Sequence, residues 1–251
     1  MPNAQKYALQ TLLRGAQVLD LFEQFDSFSL KTVTDVLELD RSVTYRLLRT
    51  WQLAGYLTFD TNTKQYFPGV QLLKLGARVH ASVGLPHIER RLEQLRNTVG
   101  HTTSFTVLTG RFVLYLARVV ANRALAYQVE IGKTLPAYAT SAGQVQLAQL
   151  PDEEILRLYD GASLVGFTKN TPSTQFELLS VIHEIRNRGY AVNRGQHSAA
   201  IVAAAAIVRD TEGKAVGAFS VAGPSEDITD ADLDNIIIPE LLQATKQPVE
   251  L

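Results

Sequence analysis

Apolar positions recur along this chain with two periods. Up to about residue 100 the spacing is that of a helix; from Thr102 onward it becomes the alternating or continuous spacing of strands, with helical stretches between them. The sharpest helical pattern is Arg41 to Trp51, RSVTYRLLRTW. Thr44, Leu47, Leu48 and Trp51 stand at i, i+3, i+4 and i+7, one side of a 3.6-residue helix. Ser42, Tyr45, Arg46 and Arg49 repeat that spacing on a face centred roughly 160° away, without an acidic residue among them. Asp40 precedes the run, where its carboxylate is expected to accept from the first free N–H groups and start the helix.

The neighbouring stretches give this helix a context. Ser29 to Leu39 reads as a second short helix, with Ser29 as N-cap and Leu30, Val33, Val36 and Leu37 on its apolar side. A few residues separate the two, as in a helix-turn-helix. Downstream, Tyr56 to Phe59 and Gln65 to Phe67 are strand-like runs around the polar turn Asp60 to Lys64, a hairpin. Helix, turn, helix and two-stranded wing make a winged DNA-binding module with the 41–51 helix in the major groove. Before it, Tyr7 to Phe25 carries an apolar stripe (Leu9, Leu12, Leu13, Ala16, Leu19, Leu21, Phe22) expected to cover the two following helices. After it, Gly69 to Ser82 reads as a helix, Gly84-Leu85-Pro86 as an interruption, and His87 to Thr98 as a further amphipathic helix.

In the second half, Thr102 to Leu108 and Phe112 to Val119 flank Thr109-Gly110-Arg111, a hairpin signal, with Ala124 to Ile131 as a third strand. Ser141 to Leu150 looks helical and Pro151 opens the next helix. Gln175 to Arg188 is amphipathic and ends at Gly189, the usual C-terminal position. Ala191 to Asn193, Ala200 to Val208 and Ala215 to Ala222 are strand-like, the last two joined by a turn at 210–213, and Asp230 is placed to cap a final helix towards Lys246. This mixed order predicts an α+β domain, an antiparallel sheet with helices packed against it.

Composition narrows the function classes. With 251 residues and 46% hydrophobic content, two domains can each build a core. Absence of cysteine excludes disulfides and thiolate metal sites and suits a reducing compartment. No leader-like start and no run of about 18 apolar residues is present, so a cytoplasmic protein without membrane contact is expected. Residues 1–76 hold eight Lys/Arg against seven Asp/Glu, and the remainder sixteen against eighteen. Such weak charge predicts modest non-specific DNA affinity, so specificity would lean on a dimer and on groove contacts. His80, His87, His101, His183 and His197 show no metal-ligand spacing and read as ordinary surface or linker residues; no GxSxG elbow or phosphate-binding glycine loop occurs, and no cofactor is implied. Ser141 and Ser220 have no base nearby in sequence. The run Val202 to Ala206 is small and apolar, either close packing under a helix or a strand kept short so that a ligand can lie against it.

Taken together, Arg41 to Leu48, Gly55-Tyr56-Leu57, Tyr66 with Gly69, Leu72 to Gly76, Leu135 to Gly143, Arg188 to Val192 and Ser220 to Pro224 resemble, in order and spacing, the IclR family of bacterial transcription regulators. The resemblance implies a winged helix-turn-helix over 1–68, a linker helix over 69–86 and a GAF-like effector-binding domain over 87–251. It implies a dimer or tetramer on a palindromic double-stranded operator, and the chain is read as a repressor or activator, with repression favoured. DNA contacts are expected from Arg41, Ser42, Val43, Tyr45, Arg46 and Arg49, with Lys64 at the wing tip. Effector contacts are expected from Gly132, Ser141, Ala142, Asn193, Ala203, Ser220 and Ala222. The chain departs from the family pattern at Glu38, where a turn glycine is usual, at Gln144 in place of a frequent lysine, at Asn193 in place of a carboxylate, and at Ala203, often cysteine. Loss of a carboxylate and of bulk favours a small aromatic acid such as a hydroxybenzoate over a short keto acid such as glyoxylate or pyruvate. On sequence alone two other readings stay open: an enzyme working through the second domain, and a winged-helix module that contacts protein.

Overall fold

The computed structural model describes residues 8–82, 84–121 and 130–249. The chain divides into two compact units, the first ending at His80 and the second beginning at Ala81.

In the first unit α1 (Gln10–Asp20) runs into a 3-10 turn, Leu21–Glu23. Gly15, Val18 and Leu21 face inward, with Leu19 and Phe22 packed against the same core, so the C-terminal part of the expected stripe is buried, whereas Leu9, Leu12 and Leu13 are 67, 63 and 47% exposed. The reason lies at Gly15. The Trp51 indole Nε1 donates to the Gly15 carbonyl at 2.8 Å, and a Cβ there would stand 3.3 Å from that ring. Docking through a bare backbone turns the leucines outward. Next, α2 (Leu30–Val36) is N-capped by Ser29, whose Oγ accepts from Thr32 N at 3.1 Å. It stops early because Glu38 adopts φ +50, so the turn keeps the left-handed geometry a glycine would favour. Helix α3 (Arg41–Leu53) follows. Asp40 sits at its N-cap, but its side chain makes no capping bond; instead the Thr44 hydroxyl donates to the Asp40 carbonyl at 3.1 Å. The wing is β1 (Leu57–Asp60) paired antiparallel with β2 (Gln65–Pro68). Asp60 Oδ1 accepts from Asn62 N at 2.8 Å in its turn, and Lys64 closes that turn at φ +57. Phe28 bridges Tyr66, so the wing is anchored to the α1–α2 connection. The core is Val18, Leu21, Phe28, Val33, Leu47, Leu48, Leu57 and Tyr66. Helix α4 (Val70–Ser82) ends this part, with Val70, Leu73, Leu75 and Val79 exposed.

The second unit opens with α5 (Leu85–Val99). Of the expected break, Gly84 lies outside the helices at φ +61, while Leu85 and Pro86 are in α5, Pro86 in the first turn, where its missing N–H costs nothing. Among the described residues six antiparallel strands follow in the order β5-β4-β3-β8-β7-β6: β3 (Thr102–Thr109), β4 (Phe112–Val119), β5 (Thr134–Pro136), β6 (Tyr190–Arg194), β7 (Ile201–Arg209) and β8 (Ala215–Pro224). The strand expected over 124–131 lies largely outside the described residues; Glu130 and Ile131 are not in a strand. One face of the sheet packs against α5 and α10 (Ile238–Lys246), joining Leu92 and Leu241 to Phe105, Ala204, Phe219 and Val221. The other packs against α6 (Ser141–Leu147), α7 (Asp152–Leu158) and α8 (Gln175–Arg188), joining Val145, Ile155 and Ile182 to Val113, Ala205 and Ala218. Gly189 ends α8 at φ +83. The last helical stretch is capped by Thr229, one residue before the expected Asp230: Thr229 Oγ1 accepts from Asp232 N at 3.1 Å and Asp232 Oδ2 accepts from Thr229 N at 2.9 Å, a capping box. It passes through α9 (Asp230–Asp232) and a π turn, Leu233–Ile237, before α10.

Candidate functional site

Each unit carries one arrangement with chemical content. In the first, burial separates the two faces of α3: Thr44, Leu47 and Leu48 are in the core, while Arg41, Ser42, Tyr45, Arg46 and Arg49 are exposed. The hairpin divides the exposed set further. Arg41, Ser42, Tyr45 and Lys64 line a notch between α3 and the wing, floored by Leu30, Phe59 and Tyr66. Val43 and Arg46 belong to the other flank, a groove between α1 and α3 that also holds Arg14, Gly15 and Trp51. Arg49 is exposed and donates to Gln52 Oε1 at 2.9 Å. The notch presents cations and hydroxyls to solvent and no carboxylate, which suits a phosphate backbone and base edges.

In the second unit, six of the seven expected effector residues surround one narrow cavity that is open to solvent. The sheet supplies its floor. Asn193 pairs with Ala203 and Ala203 with Ala222, a single row across β6, β7 and β8, and Ser220 stands one row away opposite Ala205. The start of α6 supplies a wall. Thr140 caps that helix, its Oγ1 accepting from Gly143 N at 3.1 Å, and the N–H groups of Ser141 and Ala142 open it with no intrahelical partner. Gly143 lets α6 approach the preceding turn: a Cβ would lie 2.2 Å from the Ala137 carbonyl oxygen. The sequence therefore needs a glycine there to bring Ser141 and Ala142 over the sheet. Along the alanine run of β7, Ala205 packs beneath the helices while Ala203 lines the cavity.

Three expectations change in detail. Gly132 is not in the lining; its N–H donates to the Tyr115 carbonyl at 2.8 Å, at the approach to β5. Asn193 lines the cavity but its amide is spent inside the protein, Nδ2 donating to the Ala139 carbonyl (2.8 Å) and Gln196 Oε1 (3.2 Å), and Oδ1 accepting from Gln196 N (2.8 Å). It shapes the site more than it offers a free amide. Gln144 is fully buried beside it, Nε2 donating to the Tyr138 carbonyl at 2.8 Å and to Gln196 Oε1 at 2.5 Å, and is not part of the lining.

Two histidines are not surface residues. His101 is buried, and His197 lines the cavity, where burial pulls its pKa below the ordinary imidazole value and keeps the ring neutral near pH 7. Neither carried a periodic signal, because each lies in a connection where spacing reports nothing. Tyr115 and Ile201 also line the cavity without having stood out in the sequence, and Leu135 and Thr140 join them from the segment that carried the resemblance. The described lining contains no carboxylate, lysine or arginine. Such a site recognises shape and offers hydroxyl and N–H donors.

A helix-turn-helix with a wing, followed by an α/β domain with an uncharged cavity on its sheet, defines a ligand-binding transcription regulator. The profile of the IclR helix-turn-helix domain matches residues 11–61, and that of the bacterial transcriptional regulator IclR C-terminal domain matches 83–249. This chain belongs to the IclR family. It is 28% identical over 229 residues to the HTH-type transcriptional regulator XynR of Escherichia coli K12, covering 90% of this chain and 91% of that one. It is 27% identical over 231 residues to the HTH-type transcriptional repressor AllR of the same strain, covering 91% and 85%. An IclR homolog from Microbacterium hydrocarbonoxydans, solved in complex with 4-hydroxybenzoate, superposes with a TM-score of 0.78 at 21% identity, over 94% of this chain and 95% of that chain. Among the described residues no helix is long and apolar enough to cross a membrane.

Proposed function

We propose that this chain is a repressor that binds a palindromic operator as a homodimer or homotetramer and responds to a small aromatic acid. The acid occupies the cavity at Ser141, Ala142, Asn193, Ala203, Ser220 and Ala222. The observation that carries the reading is the cavity's chemistry: a floor of Ala203 and Ala222, hydroxyls of Ser141 and Ser220, the start of α6 at Ser141 and Ala142, and no carboxylate in the described lining. A flat apolar body fits the alanine floor, and a carboxylate end meets donors without like-charge repulsion. The 4-hydroxybenzoate complex of the Microbacterium homolog supports the aromatic class, and the printed function of AllR supports repression.

On DNA, side chains in the N-terminal half of α3 read base edges in the major groove, Arg49 and Lys64 hold phosphates, and 69–86 links the DNA-binding and effector domains. Exposed Leu9, Leu12 and Leu13 at the start of α1, with Leu73 and Val79 on α4, are the contact between DNA-binding domains, since a winged module with so little net charge needs two copies for useful specificity.

The test is calorimetry of the full-length protein against 4-hydroxybenzoate and pyruvate. The aromatic acid is expected to bind and Ala203→Phe to abolish that binding with the melting profile kept. Binding of pyruvate alone overturns the aromatic assignment, and a monomer at micromolar concentration by sedimentation overturns the assembly.

A further inference from the structure

The segment 164–171 has no secondary structure, yet it is tied to the loop that joins β6 to β7. Asn170 Nδ2 donates to the Arg194 carbonyl at 2.8 Å, Thr168 Oγ1 to the Gly195 carbonyl at 2.6 Å, and Thr171 Oγ1 to the Gln196 carbonyl at 2.5 Å. Three successive loop carbonyls are thereby satisfied by one strap. From within, Gly195 N donates to the Ile201 carbonyl at 2.9 Å and Gln196 N to Asn193 Oδ1. The next residue is His197, a cavity wall. Its ring centre lies 4.7 Å from that of Phe167 on the strap, and Phe167 stacks at 6.2 Å on Tyr138, whose hydroxyl donates to the Val165 carbonyl at 2.8 Å. A loop side chain is normally ordered only when ligand arrives, at a cost in affinity. Here hydrogen bonds and ring contacts have ordered it beforehand.

We propose that His197, backed by Phe167, is a specificity-determining residue of this cavity, its ring forming the wall on which the flat body of an aromatic acid stacks. This rests on the aromatic-acid reading above and adds what that reading lacks, a means of telling a planar ring from a saturated one of the same length. The alanine floor accepts either shape. A ring face rewards the planar ligand, because offset aromatic contacts add attraction beyond the area they bury, about 2- to 12-fold in binding constant.

The full-length protein is titrated by calorimetry with 4-hydroxybenzoate and with trans-4-hydroxycyclohexanecarboxylate, its saturated counterpart. The parent is expected to prefer the planar acid, and His197→Leu to lose about 2- to 12-fold of that preference. His197→Phe is expected to keep the preference, because it retains a ring, and Phe167→Ala to lose part of it by freeing the wall. If the parent prefers the planar acid and both His197→Leu and Phe167→Ala retain its full preference, the stacking wall is overturned while the aromatic-acid reading stands. If the parent binds pyruvate and neither ring acid, that reading fails and the wall with it. Should His197→Leu not fold, as judged by its melting profile, Phe167→Ala decides the matter alone.

Discussion

The notch beside α3 and the cavity on the sheet are both concave, but they are assembled differently. Apart from Leu30 and Tyr66, the notch comes from residues 41–64, one helix and one hairpin turn, and its chemistry is exposed cations and hydroxyls. The cavity draws on residues from Tyr115 to Ala222, on five strands, one helix start and a loop, and its described lining holds no fixed charge. Binding at the notch should therefore fall with salt and tolerate small shifts of backbone, whereas binding at the cavity should ignore salt and depend on close approach of helix to sheet.

The largest effect that sharpens this contrast is expected at Gly143. A methyl there would press on the Ala137 carbonyl, so Gly143→Ala should destabilise the second unit by about 3 kcal/mol in urea unfolding, the upper end for overpacking. A change below about 0.5 kcal/mol, ordinary for a surface site, would mean that the approach of α6 is not tight. Next in size, Arg46→Ala should weaken operator binding by about 1 to 3 kcal/mol and relax its sequence preference, as expected for a guanine contact. Equal binding of operator and random DNA by parent and variant would break the assignment of α3. Glu38→Gly should stabilise the first unit by about 1 kcal/mol, by relieving a left-handed non-glycine residue without touching either site. Unchanged thermal stability would show that the turn is relaxed with glutamate in place. The smallest effect is at Lys64: Lys64→Ala should reduce the salt slope of DNA binding by roughly one unit and weaken all sequences alike. A selective loss on operator would make Lys64 a base reader instead.

The two faces of α3, the caps at Ser29 and Gly189, and the hairpins at 60–64 and 109–111 were legible because each depends on residues within about one turn of one another. The N-terminal half of α1 was misread for the opposite reason. Its apolar stripe is real, but which side faces inward was decided by the indole of Trp51 resting on Gly15, a contact 36 residues apart in the chain. Asp40 has the residue type of an N-cap and the position of one, yet its carboxylate makes no capping bond.

The sequence by itself determined the winged module, the polarity of its reading helix, the α+β character of the second domain and the small size of the β7 side chains, since composition and period are local properties. Only the tertiary structure decided that Asn193, Ala203 and Ala222 form one row, because strand register follows from how β6, β7 and β8 pair and a slip of one residue would turn every side chain to the other face. It alone also brought the unpatterned segment 164–171 against the loop carrying His197, through hydrogen bonds between groups 24 to 27 residues apart that no spacing rule can foresee.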